Sequence, residues 1–248
     1  MLHRYDWSES SLILDLFTRE RGRIVVVAKG AKRPYSQLRP VLLPFQRLNV
    51  LLGRPPSDEA NEVHLLRSAE WAGGAPMLAG GALFRGFYLN ELLLKLLARE
   101  DAHERLFDAY AHTLPALAGD ESAATAAALR AFELLLLRET GVLPELARLT
   151  HTLAPVQPDA GHRLHPEAGV QASTADGAMP GRTLLALDAA LAAGDLAALQ
   201  RACVPALPAL RTSLRALLQY HLGHTPLRTR QVMLEVQRLA PTVTRSPP

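Results

Sequence analysis

The sequence predicts an α+β protein of more than one domain, with a small β-barrel at the N-terminus and a mostly α-helical remainder. Three observations carry that prediction. Between Ser11 and Gly53, short apolar and β-branched runs alternate with basic connectors closed by Gly or Pro. After Gly73 and Gly74, apolar residues recur at steps of three and four, the period of a helix with a wide apolar face. A Pro/Gly-rich stretch at 141–182 then interrupts the helical pattern, which resumes afterwards.

Taken in order, Met1–Ser10 is polar and short, with little room for a strand. SLILDLFT (11–18), RIVVVAKG (23–30) and PVLLPFQRLNVLLG (40–53) read as three strands. Arg19–Gly22 is a connection of hairpin length, in which Gly22 is free to take a positive φ. Ala31–Arg39 reads as an open loop carrying Lys32, Arg33, Tyr35 and Arg39. A small antiparallel sheet with cationic loops and an aromatic is the general design of an oligonucleotide-binding (OB) barrel. Pro55–Asp58 marks a turn, and Glu62–Trp71 reads as a strand or a short helix.

Leu83, Phe84, Phe87, Tyr88, Leu92, Leu96 and Leu97 define a first helix. Asp101 with Glu104 resembles a capping box opening a second, which carries Leu106, Phe107, Tyr110, Leu114 and Leu117. Ser122–Thr140 makes a third, ended by Gly141. Phe84, Phe87, Tyr88, Phe107 and Phe132, at helical spacing, are assigned to the core. Helical pattern returns at Thr183–Ala193, stops at Gly194 and restarts with Asp195 as N-cap. Pro205 and Pro208 punctuate before Ala209–Leu222 and Leu227–Leu239. The last helix bears Arg228, Arg230 and Arg238, and the tail from Pro241 reads as frayed.

Composition narrows the function. Among 248 residues, 48% are hydrophobic and 21% charged, an ordinary globular balance able to bury a core. Cys203 is the single cysteine, so neither an internal disulfide nor a cysteine zinc cage is open to the chain. The N-terminus has no apolar signal core, and no apolar run approaches the ~20 residues of a membrane span. The expected location is the cytoplasm. Charge is uneven: residues 1–54 hold ten basic and four acidic residues, +6, in a chain of net +3. Such a patch suits a polyanionic partner, or serves as a solvated basic sheet edge that discourages aggregation.

Motifs of common enzymes are missing: there is no phosphate-binding G-x-x-x-x-G-K-[ST], no G-x-G-x-x-G, no H-E-x-x-H and no G-x-S-x-G. His162 with His165, and His221 with His224, form pairs without a third ligand, so surface histidines are the simpler reading. No carboxylate pair has a spacing that demands acid–base chemistry. The expectation is a protein that is not an enzyme and takes no cofactor and no metal. Tyr35 is placed either to stack on a base or to anchor its own hairpin. Arg130 and Arg138, eight apart on one helix, either flank an apolar groove for an acidic peptide or are ordinary surface arginines.

Read together, the text resembles the RecO family of bacterial recombination-repair mediators over nearly the whole chain. The matching pieces are ES-x-L-x-L-D-L-F-T-R-E-R-G-R at 9–23, VAKGAKRPYSQLR at 27–39, LPF at 43–45 and AEW at 69–71. They continue with GFYLNELLLKLL at 86–97, LFDAYAHTL at 106–114, LRAFELLLLRETG at 129–141 and HLGHTPLRTR at 221–230. The resemblance implies an OB-fold domain over 1–72 and a helical domain over 76–248. The insert at 141–182, with HRLHPEAGV at 162–170, corresponds to a segment that is a four-cysteine zinc module in many relatives. Here every cysteine position is lost, so no structural zinc is expected.

The resemblance further implies binding of single- and double-stranded DNA, strand annealing, work with RecR, and engagement of the acidic C-terminal tail of single-stranded DNA-binding protein (SSB). These together help RecA load on coated DNA, in the cytoplasm and associated with the nucleoid. DNA contact is carried over to Arg19, Arg21, Arg23, Lys29, Lys32, Arg33, Tyr35 and Arg39, and the SSB-tail pocket to Arg130 and Arg138. Family chains begin with a strand ahead of the segment matched by Met1–His3. The expectations are therefore a start placed too far downstream, or a barrel with an open seam. The competing reading is an interaction adaptor whose incomplete barrel binds protein partners rather than DNA. A nucleic-acid enzyme would need a carboxylate cluster for metal, which the sequence does not display.

Overall fold

The first and second apolar runs share one small core, and the first also sends a side chain to a second core. In the computed structural model, which describes residues 1–53, 63–74, 77–119, 122–223 and 226–239, Leu12, Leu14 and Leu16 lie in a small barrel core with Ile24, Val26 and Ala28. Phe17, from the opposite face, joins the larger helical core. Arg54, the turn at Pro55–Asp58, Glu62, His224 and the tail from Pro241 lie outside the described residues.

Five strands form the N-terminal sheet: β1 (His3–Asp6), β2 (Leu12–Thr18), β3 (Gly22–Ala28), β4 (Leu48–Leu52) and β5 (Val63–Trp71). Their order is β1-β2-β3-β5-β4, that of an OB barrel, with β3 and β5 parallel and the other neighbours antiparallel. The register sets Leu14 opposite Val26 and Leu16 opposite Ile24. No pairing joins β1 to β4 among the described residues, so the sheet is not a closed barrel. Along the open side lies a cavity of about 570 Å³, lined in part by Met1, Phe17, Phe45, Leu48, Val50 and Tyr110.

Two strand expectations are corrected. β1 arises inside the polar Met1–Ser10 stretch, where all four of its side chains are exposed and so display no apolar alternation. The third run is a strand only at Leu48–Leu52; Pro40 and Pro44 hold the preceding residues in turns. The Glu62–Trp71 segment, read as strand or helix, is β5.

The helical part comprises α1 (Gly80–Leu96), α2 (Glu104–Leu117), α3 (Ala123–Glu139), α4 (Gly181–Ala193), α5 (Leu196–Cys203), α6 (Leu207–Leu222) and α7 (Arg228–Leu239). Helix α3 is its axis: buried residues run from Thr125 to Leu137, and it packs on α2, α5 and α6. Phe132 is fully buried, while Phe87, Tyr88 and Phe107 pack half-buried against the core and Phe84 is half-buried. Ser122 Oγ accepts from Thr125 N at 3.2 Å and Asp195 Oδ1 from Ala198 N at 2.8 Å, as N-caps. Asp101 does not cap α2, whose N-cap is His103 without a side-chain cap. Glu91 of α1 seats α7, accepting from Arg228 N at 2.8 Å and Thr229 N at 2.9 Å.

The insert is a second sheet. β6 (Gly161–His165), β7 (Gly169–Ala172) and β8 (Met179–Pro180) lie in the order β7-β6-β8. Apolar packing holds it: Val156, Leu164, Val170 and Met179 are buried in the helical core. Gly169, at φ +64°, lets the hairpin close onto Thr150, whose Oγ1 would lie 2.0 Å from an added Cβ. Thr150 Oγ1 instead accepts from Val170 N at 2.8 Å. Among the described residues, no three His, Cys, Asp or Glu side chains gather as a metal site would require.

Candidate nucleic-acid interface

The basic residues of the sheet fall into two groups. The first sits on the β2–β3 hairpin and faces the helices. Arg19 Nε and Nη2 donate to Asp108 Oδ1 and Oδ2, each at 3.2 Å, and Nη1 meets Glu104 Oε2 at 2.8 Å. The bond to Asp108 and then its charge raise the guanidinium above its ordinary range. Arg21 pairs with Glu100 at 3.2 Å. Arg23 reaches the C-terminus of α1, donating to Leu94 O and, at 3.0 Å, to Leu97 O; its Nε lies 3.4 Å from the buried Asp15.

Sequence and packing bring this group to the helices together. Gly22 takes φ +65°, and a Cβ there would stand 1.6 Å from Asp101 O, so only glycine lets the hairpin meet the α1–α2 connection. Glu100 N donates to Arg23 O at 2.9 Å, and its carboxylate also meets His64 Nε2 at 2.7 Å. Apolar contacts complete the seam: Phe17 packs edge-on to Phe107 at 5.6 Å and Phe45 to Phe87 at 5.0 Å between ring centroids. Each such burial is worth about 1.5–3 kcal/mol. Asn90 Nδ2 donates to Leu2 O at 2.8 Å, and Tyr110 Oη to Asn90 Oδ1 at 2.5 Å.

The second group lies on the 29–39 loop. Lys29, Arg33 and Arg39 are exposed and have no ion pair with a described residue, and Tyr35 is 94% exposed. Successive turns shape the loop: Arg33 N donates to Gly30 O, Ser36 N to Arg33 O and Arg39 N to Ser36 O. Lys32 differs, since its Nζ bonds Ser8 O at 3.0 Å and Asp6 at 3.2 Å, tying the loop to the β1–β2 connection. The eight residues expected at the interface therefore divide: Lys29, Arg33, Tyr35 and Arg39 stand free on one loop, Lys32 fastens it, and Arg19, Arg21 and Arg23 are engaged with the helices. Sequence reasoning missed an exposed aromatic on the adjoining β1–β2 connection, Trp7, 64% exposed. A tryptophan in an otherwise polar stretch was the available signal.

Arg130 and Arg138 are held in different surroundings. Arg130 is turned inward, its side chain 11% exposed, and pairs at 2.9 Å with Oε1 of the fully buried Glu133. The same oxygen accepts from Tyr88 Oη at 2.7 Å. Burial raises the Glu133 carboxyl above its ordinary range, with Arg130 and the Tyr88 bond opposing; burial and then Glu133 raise Tyr88. Cys203 is buried, which pushes its thiol up to about 12. Arg138 is exposed on the last turn of α3 and, with Arg105, Leu135, Leu191 and Leu199, lines a cavity of about 230 Å³ that Arg130 does not reach.

Comparison with known proteins gives the family. The family model described as Recombination protein O N terminal matches residues 1–74, and that of Recombination protein O C terminal matches residues 80–231. The chain belongs to the RecO family. It is 52% identical to the DNA repair protein RecO of Variovorax paradoxus (strain S110), and 51% identical to that of Polaromonas sp. (strain JS666 / ATCC BAA-500). The figure is 50% for that of Verminephrobacter eiseniae (strain EF01-2); in each case the match covers 96% of this chain and 95% of the relative. No helix among the described residues is long and apolar enough to cross a membrane.

Proposed function

We propose that this protein acts in DNA repair and homologous recombination as a mediator. It binds single- and double-stranded DNA through the 29–39 loop, promotes annealing of complementary strands, and with RecR helps load RecA on SSB-coated DNA. The observation that carries this reading is the set of exposed cations at Lys29, Arg33 and Arg39, left without carboxylate partners among the described residues. Two nucleic-acid strands repel each other. A cationic surface that meets both lowers that cost and releases their counterions, with no nucleotide and no bond cleavage needed. Arg138, beside its cavity of about 230 Å³, is the residue we assign to the acidic SSB tail. Residues 1–72 would then serve DNA and 76–248 the partners.

Anisotropy of a labelled single-stranded oligonucleotide across a salt series tests this. Binding should weaken linearly in log salt, and the double substitution Arg33→Glu and Arg39→Glu should lower the slope by about 2 while weakening affinity for all sequences alike. Unchanged affinity removes the loop from the reading. The adaptor alternative draws on the cavity of about 570 Å³ at the open side of the sheet, and folded protein that binds no DNA even at low salt would select it.

A further inference from the structure

We propose that Trp7, together with Tyr35 on the neighbouring loop, stacks on unpaired bases and makes this surface prefer single strands over duplex. The inference rests on the DNA reading above and adds to it the residues that tell the two forms of nucleic acid apart. Trp7 is 64% exposed and Tyr35 94%, and no described aromatic ring stacks on either. Trp71 is equally open at 65%, but its indole Nε1 donates to Gln46 Oε1 at 3.0 Å, whereas Trp7 makes no side-chain hydrogen bond with a described residue.

Trp7 stands on a shaped turn, not a loose end. Its N–H donates to Ser11 O at 3.3 Å, and Ser11 N donates to Ser8 Oγ at 3.2 Å. Lys32 then binds this connection to the cationic loop three times: its backbone N–H donates to Ser10 O at 3.0 Å, and its Nζ meets Ser8 O at 3.0 Å and Asp6 Oδ1 at 3.2 Å. Two open aromatics are thus carried on two loops joined through Lys32, with Arg33 and Arg39 exposed on the same loop as Tyr35. Both rings stand open on ordered turns, where a flat partner can reach their faces. A base supplies the missing flat apolar face, and every base has one, so the contact tolerates sequence. Phosphates meet Lys29, Arg33 and Arg39 in either form of nucleic acid, but only a single strand can splay its bases onto the rings.

With Trp71→Phe as background, Trp7 is the sole tryptophan of the chain, which has two. Titration with oligothymidylate should quench its emission, and equimolar duplex should quench it little. Trp7→Ala should lose about fivefold or more in single-strand affinity, with duplex affinity and the log–log salt slope unchanged, while Trp7→Phe keeps most of the affinity. Wild-type affinity in Trp7→Ala, or equal losses for single strand and duplex, overturns the stacking role and leaves the DNA reading standing. Binding of neither nucleic acid at low salt overturns both.

Discussion

The β2–β3 hairpin and the 29–39 loop carry the same kind of residue to opposite ends. Arg19, Arg21 and Arg23 are matched by Asp108, Glu104, Glu100 and Asp15 and by the carbonyls at the end of α1. Lys29, Arg33 and Arg39 have no such match among the described residues. A run of positive charge in a sequence therefore says little until its acidic partners, here from α2 and the α1–α2 connection, have been placed. Cations that join sheet to helices are thereby distinct from cations left exposed and unpaired among the described residues.

The largest break in that comparison should come from Arg23→Met. It takes the guanidinium away from the buried Asp15, 6% exposed, and uncaps α1, so chemical denaturation should show a loss of about 3–5 kcal/mol. A loss under 1 kcal/mol would mean that the contact is incidental. Gly22→Ala should cost about 2–4 kcal/mol, because it adds a Cβ where φ is +65° and the carbonyl of Asp101 already stands. Its denaturation midpoint, compared with that of the spatially open Gly141→Ala at φ +72°, isolates the clash from the backbone term.

A smaller effect should appear at the buried Arg130–Glu133 pair of α3. The folded state raises the Glu133 pKa above the unfolded 4.5, so it holds that proton more firmly. The resulting stabilisation is full below pH 4.5 and is lost as pH rises through the folded pKa. Glu133→Gln removes this titration, so the variant's stability relative to wild type should climb as pH rises above 4.5 in urea titrations. A difference flat with pH would show that the carboxyl titrates as if exposed. At the bottom of the scale, the Arg33→Glu, Arg39→Glu protein should keep its Tm while its DNA affinity falls. Surface sites of this kind move stability by no more than about 0.5 kcal/mol.

The strands and helices legible in sequence were those whose burial follows an apolar run or a period. Leu12, Leu14 and Leu16 stand in a short apolar run buried over most of its length, and the leucines of α1 and α2 recur every turn. β1 was illegible because an edge strand with both faces in water carries no such pattern. β6 was hidden by its histidines: alternate positions are buried, but His162 occupies one of them beside Leu164. The capping box at Asp101 failed for a tertiary reason. Glu100 takes φ +55° and hydrogen-bonds to Arg23, and the Asp101 carbonyl faces Gly22, so the segment belongs to the sheet contact and α2 starts at Glu104.

Sequence by itself determined the order of sheet and helices, the basic bias of the first 54 residues and the family, because apolar period, charge and local text are properties of the chain alone. Only the tertiary structure decided which cations remain free, that Arg130 turns inward to Glu133, and that the first and fourth strands leave the sheet open. Those depend on what distant segments bring within a few ångströms: a carboxylate from α2, a helix end from α1, a loop lashed by Lys32 to the turn that carries Trp7. Pairing of charges is a contact property, and contacts between residues far apart in the chain exist only once it has folded.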